Sequence, residues 1–232
     1  MAQGSAATAS LEPANQSRDS TAQKSENMIR SLRRRPTRTP NSRGQALVEF
    51  AFVFPIFMTL LVAVIEYGFL MNANLASSYA TRDASLVGAE AGNNTGADCA
   101  ILKKIEDDIN GPSNPSNITN VQIYWADPST GAILGSNVNT YTRSTTLTIS
   151  CTIGASTFTL PYQKTTSGYP EANRCNVING SGCASGHTGL DTIGVQITYN
   201  YTWHTPLKSL LGFTGSGWTI VKSNAMEMEP VL

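Results

Sequence analysis

The sequence predicts an α+β protein. A long N-terminal helix, membrane-spanning in its first half and amphipathic in its second, leads into an extracytoplasmic domain rich in antiparallel strands. Three observations carry this expectation. Phe50 to Ile65 is a run of sixteen residues without a formal charge, nearly all large and apolar. Beyond it, apolar residues recur near a 3.6-residue period as far as Val87. From about residue 120 the pattern becomes short alternating stretches separated by Gly, Pro, Asn and Asp, and helices followed by several strands give α+β. Three parts result: a basic leader over 1–44, a membrane and scaffold helix over 45–90, and a domain over 91–232.

The leader holds eight Lys/Arg against Glu12, Asp19 and Glu26, whereas residues 45–232 hold eight against thirteen Asp/Glu. Arg30, Arg33, Arg34, Arg35, Arg38 and Arg43 crowd the approach to the apolar run, and the next basic residue is Arg82. The positive-inside rule puts the N-terminus in the cytoplasm and the larger part outside, at a cytoplasmic (inner) membrane crossed once. Beside such a run the basic cluster reads as an orientation signal and not as a nucleic-acid site. Residues 1–42, rich in Ala, Ser, Thr, Gln, Asn and Arg, have too little apolar surface to offset their ordering entropy and are expected to be disordered. Met28 offers an alternative start, opening a compact leader, Met-Ile-Arg-Ser-Leu-Arg-Arg-Arg.

As a helix the charge-free run covers about 24 Å, short of a hydrocarbon core of about 30 Å. Extending it from Ala46 to Met71 makes it long enough and brings Glu49 and Glu66 to its edges. A carboxylate at that depth is expensive and by default marks a task. Glu66 reads as an interfacial residue. Pro55 is tolerated in a membrane helix where neighbouring groups satisfy the freed carbonyl. The run is too long for a cleaved signal peptide, and the nearest small-x-small site, Ser78-Tyr79-Ala80, lies well past its end. Leu75, Ala76, Tyr79, Ala80, Leu86 and Val87 then form an apolar stripe that needs a cover, and Gly88 with Ala91 to Gly96 ends the helix.

In the domain, Asp98 to Ile109 reads as a short amphipathic helix, Val121 to Trp125 as a strand, Asp127 to Gly131 as a turn, and Thr140 to Ile153 as one Thr-rich strand. Thr165 to Gly189 reads as a Gly/Ser/Asn loop too polar for a core. Thr192 to Trp203 alternates, with Ile193, Val195, Ile197, Tyr199 and Tyr201 on one face. Pro206 to Phe213 is a short apolar turn or helix, and Trp218 to Met228 a last strand. All four cysteines follow the membrane run, in the compartment where disulfides persist. Three pairings are open; Cys175 with Cys183 across a short loop is favoured, leaving Cys99 with Cys151.

No nucleophile-elbow, phosphate-loop or H-E-x-x-H motif is present, and two histidines give a His-based triad few routes. Neither His187 nor His204 has zinc-ligand spacing, so no metal and no cofactor is expected. Glu106-Asp107-Asp108 reads as a solvated helix face, Asp191 as the cap of a turn or strand, and the sequons at Asn93, Asn117, Asn179 and Asn200 as chance. The chain is expected not to be an enzyme.

Arg43-Gly44-Gln45-Ala46-Leu47-Val48-Glu49-Phe50-Ala51, the apolar run with Pro55, and Ile65-Glu66-Tyr67-Gly68 resemble the TadE-like minor pilins, or pseudopilins, of the tight-adherence pilus within the type IV pilin superfamily. Tyr79 to Ala84 is similar to the Ala/Arg-rich continuation of that family. Val195 to Tyr199 and Ala225 to Pro230 carry a looser likeness. The specific part covers residues 43–85; the Gly/Ser/Asn insertion and the four cysteines are not typical. The resemblance implies a pilin-like fold and cleavage after Gly44 by a prepilin peptidase, leaving Gln45 first and Glu49 fifth in the mature chain. It implies as partners other pilin and pseudopilin subunits (TadE-like, TadF-like and the major pilin), the assembly platform and the lipid bilayer, with N-methylation of Gln45 a superfamily possibility. After processing the subunit would pass to an extracellular pilus serving adhesion or secretion. Glycine before the scissile bond allows close backbone approach by the peptidase. A Gln45 ammonium paired with Glu49 of a neighbour would set axial register, because an unpaired buried charge costs several kcal/mol. The rival reading is an uncleaved single-pass anchor that displays an envelope or adhesion domain.

Overall fold

The computed structural model describes residues 41–111, 113–212, 214, 215 and 217–231. The leader expected over 1–44 lies outside the described residues except for 41–44. Two units are distinguished, Met1–Ile56 and Phe57–Leu232, and helix α1 (Asn41–Ala91) contributes to both. The arrangement is α+β, a long apolar N-terminal helix followed by an antiparallel-sheet domain.

In the first unit the described residues are all helical, and Leu47, Val48, Phe50, Phe52, Val53, Phe54 and Ile56 are exposed. Pro55 sits inside α1 and has no N–H to offer the carbonyl one turn back. Among the described residues α1 is the helix long and apolar enough to cross a membrane.

In the second unit α2 (Ala97–Ile109) is followed by β1 (Ile118–Ala126), β2 (Ile133–Arg143), β3 (Ile149–Ile153), β4 (Ser156–Leu160), β5 (Tyr162–Ser167), β6 (Thr192–Thr202), α3 (Leu207–Leu211) and β7 (Gly217–Glu227). Five strands form an antiparallel sheet in the order β5-β2-β1-β6-β7, and β3 pairs with β4 separately. Strand β6, between β1 and β7, turns Ile193, Val195, Ile197, Tyr199 and Tyr201 into the core, where all five are buried. Gly194 is required on its other face: it faces Tyr124 across the β1–β6 ladder, and a Cβ there would meet the Tyr124 ring at 2.3 Å.

Of the stripe that periodicity selects on α1, Ala80 is buried but the large residues are not. Leu75, Tyr79 and Leu86 are exposed, and the core side carries Ala73, Ser77, Ala80, Thr81, Ala84, Ser85 and Ala89. Small side chains bring the helix close to its neighbours: a Cβ on Gly88 would lie 3.0 Å from both Ile101 Cδ1 and Ile193 Cδ1. The hydroxyls in this stripe are satisfied within the helix, Ser77 Oγ donating to the Ala73 carbonyl (2.8 Å) and Thr81 Oγ1 to the Ser77 carbonyl (3.1 Å).

Two further expectations are corrected. Thr140 to Ile153 is not one strand: Ser144 accepts the N–H groups of Thr146 (3.2 Å) and Leu147 (2.9 Å), making a turn that ends β2 and sends β3 into a different sheet. The region 165–189 is not all outside the core, since Tyr169, Arg174, Cys175 and Asn176 are buried. Disulfides join Cys99 of α2 to Cys151 of β3, and Cys175 to Cys183.

Candidate processing and assembly site

Gly44, Gln45 and Glu49 lie on the exposed start of α1. A side chain at Gly44 would meet nothing within 4 Å, so its glycine answers no packing need within the chain. Gln45 Nε2 donates to Glu49 Oε1 at 3.2 Å, the one-turn spacing that aligns two residues on a helix face. The Gly44–Gln45 peptide is helical and lies one turn from the N-terminal end of α1, where fraying costs least. The Phe50 and Phe54 rings meet one turn further on, tilted, with centres 5.2 Å apart.

Glu66 behaves differently. It is the only formally charged residue between Phe50 and Thr81, yet it is 3 % exposed. Its carboxylate accepts the backbone N–H groups of Thr205 (2.8 Å) and His204 (3.2 Å) and the Tyr201 hydroxyl. The His204 ring stacks on Phe69 at 5.0 Å. A carboxylate in an apolar helix is thus neutralised in its hydrogen-bonding demand by the end of β6 and the segment after it. Tyr201, His204 and Thr205 escaped sequence reasoning. The available signal was the isolation of Glu66, since a lone buried carboxylate must have donors somewhere.

Two more carboxylates organise the domain from inside. Asp98 accepts from Asn139 Nδ2 (2.8 Å) and Tyr141 Oη (2.6 Å) and pairs with the buried Arg174, whose guanidinium lies 4.9 Å from the Tyr169 ring centre. Asp191 accepts from Tyr169 Oη (2.7 Å) and the Cys175 N–H (2.9 Å), and its other oxygen lies 2.5 Å from His187 Nδ1. His187 in turn stacks on Trp125 at 4.3 Å. Both aspartates therefore fasten the 168–190 region to the sheet. Glu106 is likewise not part of a solvated face: it pairs with Arg143 and accepts the Tyr162 hydroxyl at 2.6 Å. Glu171 caps α2 from a distance, accepting the N–H groups of Gly96 (2.9 Å) and Asp98 (2.7 Å) at its positive end.

All four cysteines are consumed in the two disulfides, and among the described residues no three His, Cys, Asp or Glu side chains gather as a metal site. The start of α1 thus offers an exposed glycine and a carboxylate one turn beyond Gln45.

Comparison with known families finds that residues 44–86 match the family model described as TadE-like protein. The matched segment begins at Gly44 and runs through Gln45, Glu49, Pro55 and Glu66. Comparison with curated proteins gives no match, and comparison with solved structures gives none.

Proposed function

We propose that the chain is a minor pilin or pseudopilin, made as a single-pass precursor in the cytoplasmic membrane with its domain outside, cut after Gly44 by a prepilin peptidase and taking part in assembly of a tight-adherence pilus. The observation that carries the reading is the family match that starts at Gly44 and covers the apolar helix, with Glu49 fifth when counted from Gln45. The role is structural. Cutting at Gly44 removes the arginines that hold the helix at the inner face, and with them most of the resistance to lifting it from the bilayer. The freed Gln45 ammonium and Glu49 carboxylate pair between subunits, the alternative being a desolvated charge without a partner. Leu75, Tyr79 and Leu86, exposed on the same helix, supply apolar surface for neighbouring subunits, whether TadE-like, TadF-like or the major pilin.

One observation favours the rival, an uncleaved anchor: the Gly44–Gln45 bond is helical, and a peptidase must unwind that turn to reach it. The N-terminal residue of the protein recovered from membranes or sheared filaments decides between them. Gln45 is expected; an N-terminus upstream of Gly44 in a peptidase-competent cell overturns processing and supports the anchor.

A further inference from the structure

We infer that the connection between β6 and β7, from Trp203 to Gly212 together with Trp218, rests in the headgroup boundary of the bilayer, with lipid covering its apolar face. The inference rests on the membrane-anchored reading above and adds a second point of membrane contact, on the domain itself.

Lys208 is the only formally charged residue between Asp191 and Lys222. Within this stretch α3 turns Leu207 inward and leaves Leu210 and Leu211 64 % and 50 % exposed. Trp218 is 53 % exposed and its ring centre lies 5.3 Å from that of Trp203. These residues do not form an isolated patch. A shallow groove of about 280 Å³ is walled by Trp203, Leu207, Leu211 and Trp218 on one side and by Tyr67 and Leu70 of α1 on the other. Ala63 and Glu66 complete the helix wall of the groove.

The depth of that groove follows from chain length. A hydrocarbon core of about 30 Å takes about twenty helical residues, so a span opening at Phe50 closes near Phe69. Its outer edge is therefore the turn that carries Tyr67 and Leu70. At this level the Glu66 carboxylate has protein donors in place of water, from Tyr201, His204 and Thr205. Trp and Tyr prefer this depth because their rings are apolar and their N–H or O–H groups are not, and a lysine there extends its ammonium to the headgroups. A second protein chain is the competing occupant. The patch borders the helix at the edge of the hydrocarbon, and that favours lipid.

The test uses the full chain reconstituted in phosphatidylcholine–phosphatidylglycerol vesicles. A Trp125→Phe variant leaves Trp203 and Trp218 as the emitters. Lipids brominated at shallow acyl positions are expected to remove most of that emission and deeper bromines less. The paired Trp203→Phe, Trp218→Phe variant, reporting Trp125 alone, is expected to keep its emission. Equal emission of the Trp125→Phe variant in brominated and ordinary vesicles, with the protein retained after alkaline carbonate extraction, overturns the inference and leaves the anchor standing. Release by carbonate removes the anchor first and the inference with it. Leu211→p-benzoylphenylalanine gives a second readout, with photo-adducts to lipid expected; adducts only to protein overturn lipid as the occupant.

Discussion

The Glu66 carboxylate accepts the backbone N–H of Thr205 at 2.8 Å, joining positions 139 residues apart in the sequence. Asn224 Nδ2 donating to Ser85 Oγ (2.7 Å) and the Glu229 N–H donating to the Ala89 carbonyl (3.1 Å) also tie α1 to the chain beyond β6. The Glu66 carboxylate also holds the His204 N–H and the Tyr201 hydroxyl.

Glu66→Ala therefore leaves two backbone donors and a phenol without acceptors in a buried place. The expected cost is about 3 kcal/mol, each stranded group accounting for about 1–3 kcal/mol in isolation. At about 2–4 °C per kcal/mol for a protein of this size, Tm falls by roughly 6–12 °C. Glu66→Gln keeps one acceptor oxygen and is expected to lose about half as much. Thermal unfolding of the detergent-solubilised chain measures both. Equal stability of Glu66→Ala and the parent removes the clasp from the account of the fold.

Asp98 and Arg174 form a pair buried on both sides, with side-chain exposures of 4 % and 0 %. Removing one partner strands the other, and Asp98→Ala or Arg174→Ala is expected to cost about 3–5 kcal/mol. The double variant is expected to cost less than the sum, because neither charge is left uncompensated. Urea unfolding of the four chains completes the cycle, and strict additivity rules out coupling between the two charges.

Much of this domain was legible before any coordinates. Strict alternation from Ile193 to Tyr201 marked β6, whose one face is wholly apolar, and the charge-free run marked α1. The core face of α1 was legible only at Ala80, because hydropathy weights Leu75 and Tyr79 above Ala73 and Ala84, and here close approach to Ile101 and Ile193 selects small residues. Glu66 read as an interfacial residue, Glu106 as part of a solvated face and Asp191 as a cap, and the buried role of Asp98 went unread, for a related reason. Their partners, Thr205, Arg174, Arg143 and Tyr169, are distant in sequence, and no local pattern announces a long-range hydrogen bond. At the start of α1, Gly44 and Glu49 were singled out by resemblance to the TadE-like minor pilins, and the helical state of the bond between Gly44 and Gln45 was not anticipated.

Alkaline pH is expected to unfold the domain cooperatively. The phenols of Tyr141, Tyr162 and Tyr169 are pushed well above their ordinary value of 10.0, first by burial and then by the adjacent carboxylates of Asp98, Glu106 and Asp191 respectively. Their protonation is favoured in the folded state, so the stability they confer is complete below pH 10 and is lost as pH rises above it. The slope is about 1.4 kcal/mol per pH unit for each tyrosine that ionises only on unfolding. Absorbance at 295 nm and far-UV circular dichroism, followed together, are expected to show a tyrosinate step that coincides with loss of secondary structure. Ionisation of all tyrosines with the dichroism intact contradicts this.

Glu49 touches nothing beyond its own helix turn, its contact being with Gln45 Nε2 at 3.2 Å. A role in folding would leave Glu49→Ala less stable; a role in assembly would not. The expectation is an unchanged Tm, near-normal appearance of Gln45 as the N-terminal residue, and strong loss of sheared filaments. On the proposed reading, cleavage reads the backbone at Gly44, five residues before the carboxylate, whereas packing in a fibre would bury both the new ammonium and its counter-charge. A lone buried ammonium costs several kcal/mol, enough to reduce incorporation by orders of magnitude. Glu49→Gln, which keeps the shape and one hydrogen bond but not the charge, is expected to assemble as poorly as Glu49→Ala. Normal piliation by both variants, with Gln45 still exposed at the N-terminus, assigns register in the fibre to something other than this carboxylate.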